Sequence, residues 1–247
     1  MRNRISAVLF VAALAIVSVE ARAALIVNGD FDANPVSGGF AIVTPSSAFQ
    51  MTGWRVLTSG GNTSASVDLV KAPYWQAHSG ANSVDLFGSY TQQPSFLAQT
   101  FSVGAGQLGA YRLSFFHSVN TDSPRDQGLF ANIVTGIGVT GTSVATSSTS
   151  FFYDIPADGS PTKQAMAWKQ GFLDVSFSAA GDYTLWFQGN AQFGNQNQGA
   201  ALDSVTLDAA VGSLGTAVVP LPAASWLMLA GLGMVFGLGR RRRLAAA

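Results

Sequence analysis

Residues 111–118 read Tyr111-Arg112-Leu113-Ser114-Phe115-Phe116-His117-Ser118. Tyr111, Leu113, Phe115 and His117 fall on one side of this run, and Arg112, Ser114 and Ser118 on the other. Phe116 alone breaks the order. A period of two belongs to a β-strand with one buried face, because successive side chains of an extended chain point opposite ways. An amphipathic helix would instead repeat its apolar residues three and four apart.

Similar short runs recur on both sides, separated by turns rich in Gly, Ser and Asn. Upstream they span 40–43, 54–57, 66–70, 83–87 and 96–103. Downstream they span 129–139, 150–154, 165–177, 183–188 and 201–207. Leu25, Ile26 and Val27 open the series, Asn28-Gly29-Asp30 turns, and Phe31 points back inward. No helical period precedes Ala223, and no internal repeat is present. This pattern predicts an all-β domain over residues 24–207, a β-sandwich or jelly roll. Small residues then dominate 208–218, which reads as a linker.

Both ends of the chain read as addresses. Arg2 and Arg4 precede an apolar run over residues 5–19, then Ala21-Arg22-Ala23. That is a secretory signal peptide, residues 1–23, with cleavage after Ala23 or Ala24. At the other end, residues 219–247 divide into Val219-Pro220-Leu221-Pro222, an uncharged stretch over 223–239, and Arg240, Arg241, Arg242 and Arg243. As a helix the uncharged stretch would reach ~25 Å, close to the ~30 Å hydrocarbon core of a bilayer. The prolines suit a first turn, and the arginines hold the far end in the cytoplasm. The order of these parts resembles the PEP-CTERM sorting signal, which exosortase-type transpeptidases process in bacteria that make exopolysaccharide. Leu221 stands where that signal usually carries Glu. The resemblance implies that Val219, Pro220, Pro222 and the four arginines serve sorting, with an intermediate anchored in the inner membrane and a final place at the cell surface or outside it.

Charge excludes some partners. Seven of the 13 basic residues lie in the two addresses and six remain, against twelve aspartates; Glu20 is the only other acid. The domain between the addresses therefore carries about −6, which argues against nucleic acid. The chain has no cysteine, so it has no disulfide framework and no thiolate chemistry.

Several stretches resemble the "choice-of-anchor" bacterial surface domains, which are similar to plant cell-wall proteins with a galactose-binding-like jelly roll. They are Asn28-Gly29-Asp30-Phe31-Asp32, Gly53-Trp54, residues 74–86, Gln99-Thr100-Phe101, residues 111–115 and Ala201-Leu202-Asp203-Ser204-Val205. The resemblance implies a sandwich of a kind that often binds polysaccharide. It also implies a structural calcium ion, shared by an acid of the first motif and an acid of the last strand. The matching positions are Asp32, where Glu is more usual, and Asp203. The alternative is that both acids only hydrogen-bond turns.

A sugar ring has an apolar face and a rim of hydroxyls, so its site needs an exposed aromatic beside amides or carboxylates. Tyr74, Trp75, Gln76, His78 and Asn82 offer that mix in the shortest span. Trp75 is the candidate platform, with Gln76 and Asn82 as hydroxyl partners; the competing reading folds Trp75 into the sandwich edge. Trp54, after a glycine, reads as a core plug before a sugar platform. His117 reads as a satisfied histidine on a packed face. Asp85, between Val84 and Leu86, suits a buried hydrogen-bonded carboxyl as well as a ligand contact. Residues 189–199, GNAQFGNQNQG, read as a polar loop whose amides suit hydroxyls.

Catalytic signatures are missing. A glycosidase needs two carboxyls at a set separation, and this domain has no Glu and only scattered aspartates. Two histidines 39 positions apart make a His-based metal site improbable. The expectation is a non-catalytic exported protein that binds exopolysaccharide or another glycan. A purely structural matrix protein and a glycoside-active enzyme are the alternatives. An exposed aromatic pair beside polar groups favours binding, a flat surface the structural role, and two carboxyls across a cleft the enzyme.

Overall fold

The computed structural model describes residues 24–58, 65–89, 95–122, 125–190 and 198–210. The expected signal peptide, the sorting tail with its helix, and the linker after Ala210 lie outside them. Among the described residues no helix is long and apolar enough to cross a membrane.

Two antiparallel sheets face each other. One has the order β1 (Phe40–Val43), β3 (Val67–Lys71), β4 (Asn82–Asp85), β11 (Ala200–Ala209), β6 (Gly109–Val119), β9 (Lys169–Phe177). The other has the order β2 (Arg55–Leu57), β5 (Phe96–Val103), β10 (Gly181–Gly189), β7 (Gln127–Thr135), β8 (Ser150–Tyr153). The result is a jelly-roll sandwich. Most expected strands differ from these by a few residues at their ends. Residues 25–27 form no strand, and β7 stops at Thr135, before Gly136 and Gly138, both with positive φ. β9 starts at Lys169 rather than 165, because Met166 and Trp168 turn onto the outer face of the first sheet. One helical turn, α1 (Ile155–Asp158), begins with a proline near its first position.

The alternation of β6 sets the core. Tyr111, Leu113, Phe115, His117 and Val119 are all buried between the sheets. Phe115 meets Phe151 edge-on at 4.8 Å and Phe187 at 5.1 Å. Phe187 in turn packs on Trp54, which is 1% exposed and donates from Nε1 to Asn28 O at 2.9 Å. Interlocked rings of this kind gain from geometry as well as area. His117 differs from expectation. It lies among Phe115, Phe151 and Tyr153, and its Nδ1 has no hydrogen-bond partner among the described residues. Burial pushes its pKa down to about 4, so it is neutral at pH 7.

The outer face of the six-stranded sheet is not bare. Alternation sends Leu69, Ala200 and Leu202 into the main core, while Val70 and Ala201 join a smaller cluster with Trp75 and Met166. Segments around 72–81 and 160–168 thus fold back over this face. Trp75 Nε1 donates to Ser83 Oγ at 2.6 Å, and Ser118 Oγ donates to Met166 O.

A bulge in β11 ties down the N-terminal turn. The register with β6 shifts between Asp203 and Thr206, and Ser204 takes φ 53°. Val205 N then donates to Gly29 O at 2.8 Å. A Cβ at Gly29 would lie 1.9 Å from Val205 O, so only glycine admits this approach.

Candidate functional site

Where the folded-back segment leaves the outer face of the sheet, a cavity of about 200 Å³ opens. Asp68, Asp85, Asn120 and Asp122 supply its polar wall, and Phe40 and Tyr74 its rings. Strand geometry brings the first two together. Asp68 on β3 is the direct register partner of Asp85 on β4, so the two carboxyls stand side by side on one wall. Like charges so placed are unfavourable unless donors surround them.

Those donors are present. Asp85 accepts from Phe87 N and Gly199 N, both at 2.9 Å, and from Asn120 Nδ2 at 2.7 Å. Asp68 accepts from Ser89 N at 3.1 Å and Ser89 Oγ at 2.5 Å. Burial still pushes the Asp85 carboxyl up to about 7, with the Asp68 charge adding to the rise. Burial also raises Asp68, against its bonds to Ser89. At the mouth, Tyr74 donates from its hydroxyl to Asp122 Oδ2 at 2.7 Å and meets Phe40 edge-on at 5.6 Å. Lys163 Nζ sits 2.7 Å from Asp122 Oδ1 and 4.0 Å from the Tyr74 ring centre. Burial opposes the ionised form of Asp122, but bonds from Lys163 and Tyr74 hold it below the usual carboxylate range.

The residues singled out in the sequence divide. Tyr74 lies at the mouth, half-buried. Trp75 lines the cavity yet is 1% exposed and packed against Val70, Met166 and Ala201, so it is no flat open platform. Its indole N–H finds an acceptor in Ser83, which makes full burial cheap. Asn82 is also buried, with Nδ2 donating to Phe31 O at 3.1 Å and Asn34 O at 3.2 Å. It clamps the N-terminal turn and has no donor left for a hydroxyl. Gln76 is exposed beside the cavity, its backbone held by Lys163 O and Trp168 Nε1. His78 lies outside the cavity. Its ring stacks on Phe116 at 3.5 Å, and Nδ1 is 2.8 Å from Ser204 Oγ. Phe116, the one break in the alternation of β6, thus has an outward partner. Asp68, Asn120, Asp122 and Phe40 were not singled out; an aspartate in the middle of an apolar strand, as at Asp68, was the available signal.

Asp32 and Asp203 do come together, on either side of one loop. Asp32 Oδ1 accepts from Ala81 N at 2.9 Å and Asn82 N at 2.8 Å. Asp203 Oδ2 accepts from His78 N at 2.7 Å and Ser79 N at 3.1 Å, and Oδ1 from Ser204 N at 2.5 Å. Burial pushes Asp203 up to about 7, and the Asp32 charge adds to this. The hydrogen bonds to both carboxylates come from backbone N–H groups, and neither carboxylate forms an ion pair among the described residues. Among the described residues no three His, Cys, Asp or Glu gather as a metal site.

A wider groove of about 970 Å³ runs along β2 and β5. Arg55 is the one charged group among its described lining residues, and its one tryptophan, Trp54, is buried. It has more room than the cavity and less chemistry.

Residues 218–243 match the PEP-CTERM protein-sorting motif. No curated protein matches the chain. Among solved structures, the chain is similar to TmCBM61, solved in complex with β-1,4-galactotriose, at 13% identity and TM-score 0.42, over 76% of this chain and 100% of that one. It is similar to a putative sugar binding protein from Bacteroides thetaiotaomicron at 14% identity and TM-score 0.41, over 76% and 100%. A further likeness is to the K1 cleaved adhesin domain of Lys-gingipain from Porphyromonas gingivalis, at 12% identity and TM-score 0.44, over 70% and 99%. Residues 218–243 thus carry the sorting signal of an exported protein that passes through a C-terminal membrane anchor.

Proposed function

We propose that this is a non-catalytic glycan-binding protein of the cell surface or extracellular matrix, processed by an exosortase-type enzyme. The observation that carries the binding site is the cavity beside the Phe40–Tyr74 pair. Two rings at its rim stand next to carboxylates and an amide, which is what a sugar face and its hydroxyls require. At about 200 Å³ it is smaller than the ~300–1,000 Å³ of drug-sized pockets, so it takes one sugar residue, such as a chain end. A cleavage mechanism is disfavoured by the placing of Asp68 and Asp85. They are neighbours on one wall, whereas glycosidase carboxyls flank the bond they break.

Calcium belongs to the same proposal. Asp32 and Asp203 would hold it, balancing both charges where they meet the 78–82 loop, with remaining oxygens from backbone and water.

A glycan array screened with the full chain in mild detergent tests the binding function. Tyr74→Ala should weaken binding to the best glycan by roughly 1–3 kcal/mol, the range for loss of an aromatic stacking surface. Unchanged affinity in a folded Tyr74→Ala protein would move the site to the groove along β2.

A further inference from the structure

The cavity is acidic as well as aromatic. Asp68, Asp85 and Asp122 all line it, and of the three only Asp122 forms an ion pair with a described cation. That pair shows what the mouth can accommodate. The Lys163 ammonium lies at once on the Tyr74 ring and against the Asp122 carboxylate. Deeper in, the partners of Asp68 and Asp85 among the described residues are neutral donors, from Ser89, Phe87, Gly199 and Asn120.

We infer that the cavity selects an amino sugar with a free ammonium group, as found in a deacetylated amino-polysaccharide, over neutral or N-acetylated sugars. This inference rests on the glycan-binding function proposed above. Sugar hydroxyls alone would leave two adjacent carboxyls without a counter-charge. An ammonium forms charge-assisted bonds to them, about twice as strong as neutral ones. The rings add to this, since a cation is attracted to an aromatic face where water is partly excluded. Burial disfavours the ionised form of both carboxyls, so a cation placed against them favours that form. N-acetylation removes the charge and enlarges the residue that must enter about 200 Å³.

The test compares glucosamine oligomers with N-acetylglucosamine oligomers of equal length, titrated into the full chain in mild detergent at neutral pH. The deacetylated oligomer should bind at least about tenfold more tightly, and the difference should shrink as salt is raised. Asp68→Asn and Asp85→Asn, each shown folded by its melting curve, should abolish the preference. Lys163→Met should tighten binding of the deacetylated oligomer, because it releases Asp122 and the Tyr74 face from an internal competitor. Equal affinity for both oligomers, lost on Tyr74→Ala, overturns charge selection and leaves glycan binding intact. Failure of the protein to bind any sugar overturns both.

Discussion

Asp85 follows Val84 in β4, and its chemistry comes from the strand beside it. The register sets it against Asp68, and the fold removes both from water. Its folded pKa of about 7 stands above the 3.8 of an unperturbed aspartate. A carboxyl so shifted stabilises the fold fully below 3.8, and that contribution is lost as pH rises through about 7. His117 has the opposite sign. Its folded pKa of about 4 lies below 6.5, so its contribution is present above 6.5 and lost as pH falls through about 4. Asp85→Asn, with no proton to lose, should therefore gain on the wild type as pH rises across this window. Urea unfolding at several pH values checks this; a constant stability difference between the two proteins would show that Asp85 titrates normally.

At the level of elements, the 78–82 loop joins the two ends of the domain. Asp32, from the first turn, and Asp203, from the last strand, both bind its backbone amides. The approach is close, since a Cβ at Gly80 would lie 1.6 Å from Asp32 Oδ2. Calcium bound by this carboxyl pair would stabilise the folded state by mass action. Adding calcium to the full chain in mild detergent should raise its melting temperature, and EDTA should lower it again. A melting temperature indifferent to both would assign the two acids to the loop alone. The bulge at Ser204 is the other device here, because it turns Val205 toward Gly29 and closes the N-terminal segment onto β11.

For the molecule as a whole, the sorting motif and the arginine block predict an orientation. Four adjacent cations strongly resist transfer across a bilayer, while the domain before them is acidic. A reporter fused after Ala247 should stay in the cytoplasm before processing. Replacing Arg240, Arg241, Arg242 and Arg243 with Ser should weaken retention. Recovery of the wild-type reporter in the periplasm would contradict this orientation.

The period of two in residues 111–118 was enough to place β6 and its buried face, because that period follows from chain geometry alone. The C-terminal sorting motif was legible for a similar reason. Its information lies in a short contiguous pattern of charge and hydropathy over residues 218–243. The acids at 32 and 203 were paired in advance only through resemblance to a family; nothing in their spacing brings together residues so far apart. The cavity was not legible at all. Whether Trp75 faces solvent or packs depends on a segment that folds back over the sheet and on Ser83 accepting its N–H. Whether Asp68 meets Asp85 depends on the register of β3 with β4, and a shift of one residue would have turned them to opposite faces. Sequence alone determined most strands, their inner faces and the C-terminal sorting motif, because these are local properties. The neighbours of each outward side chain, and with them the candidate site, came only from tertiary packing.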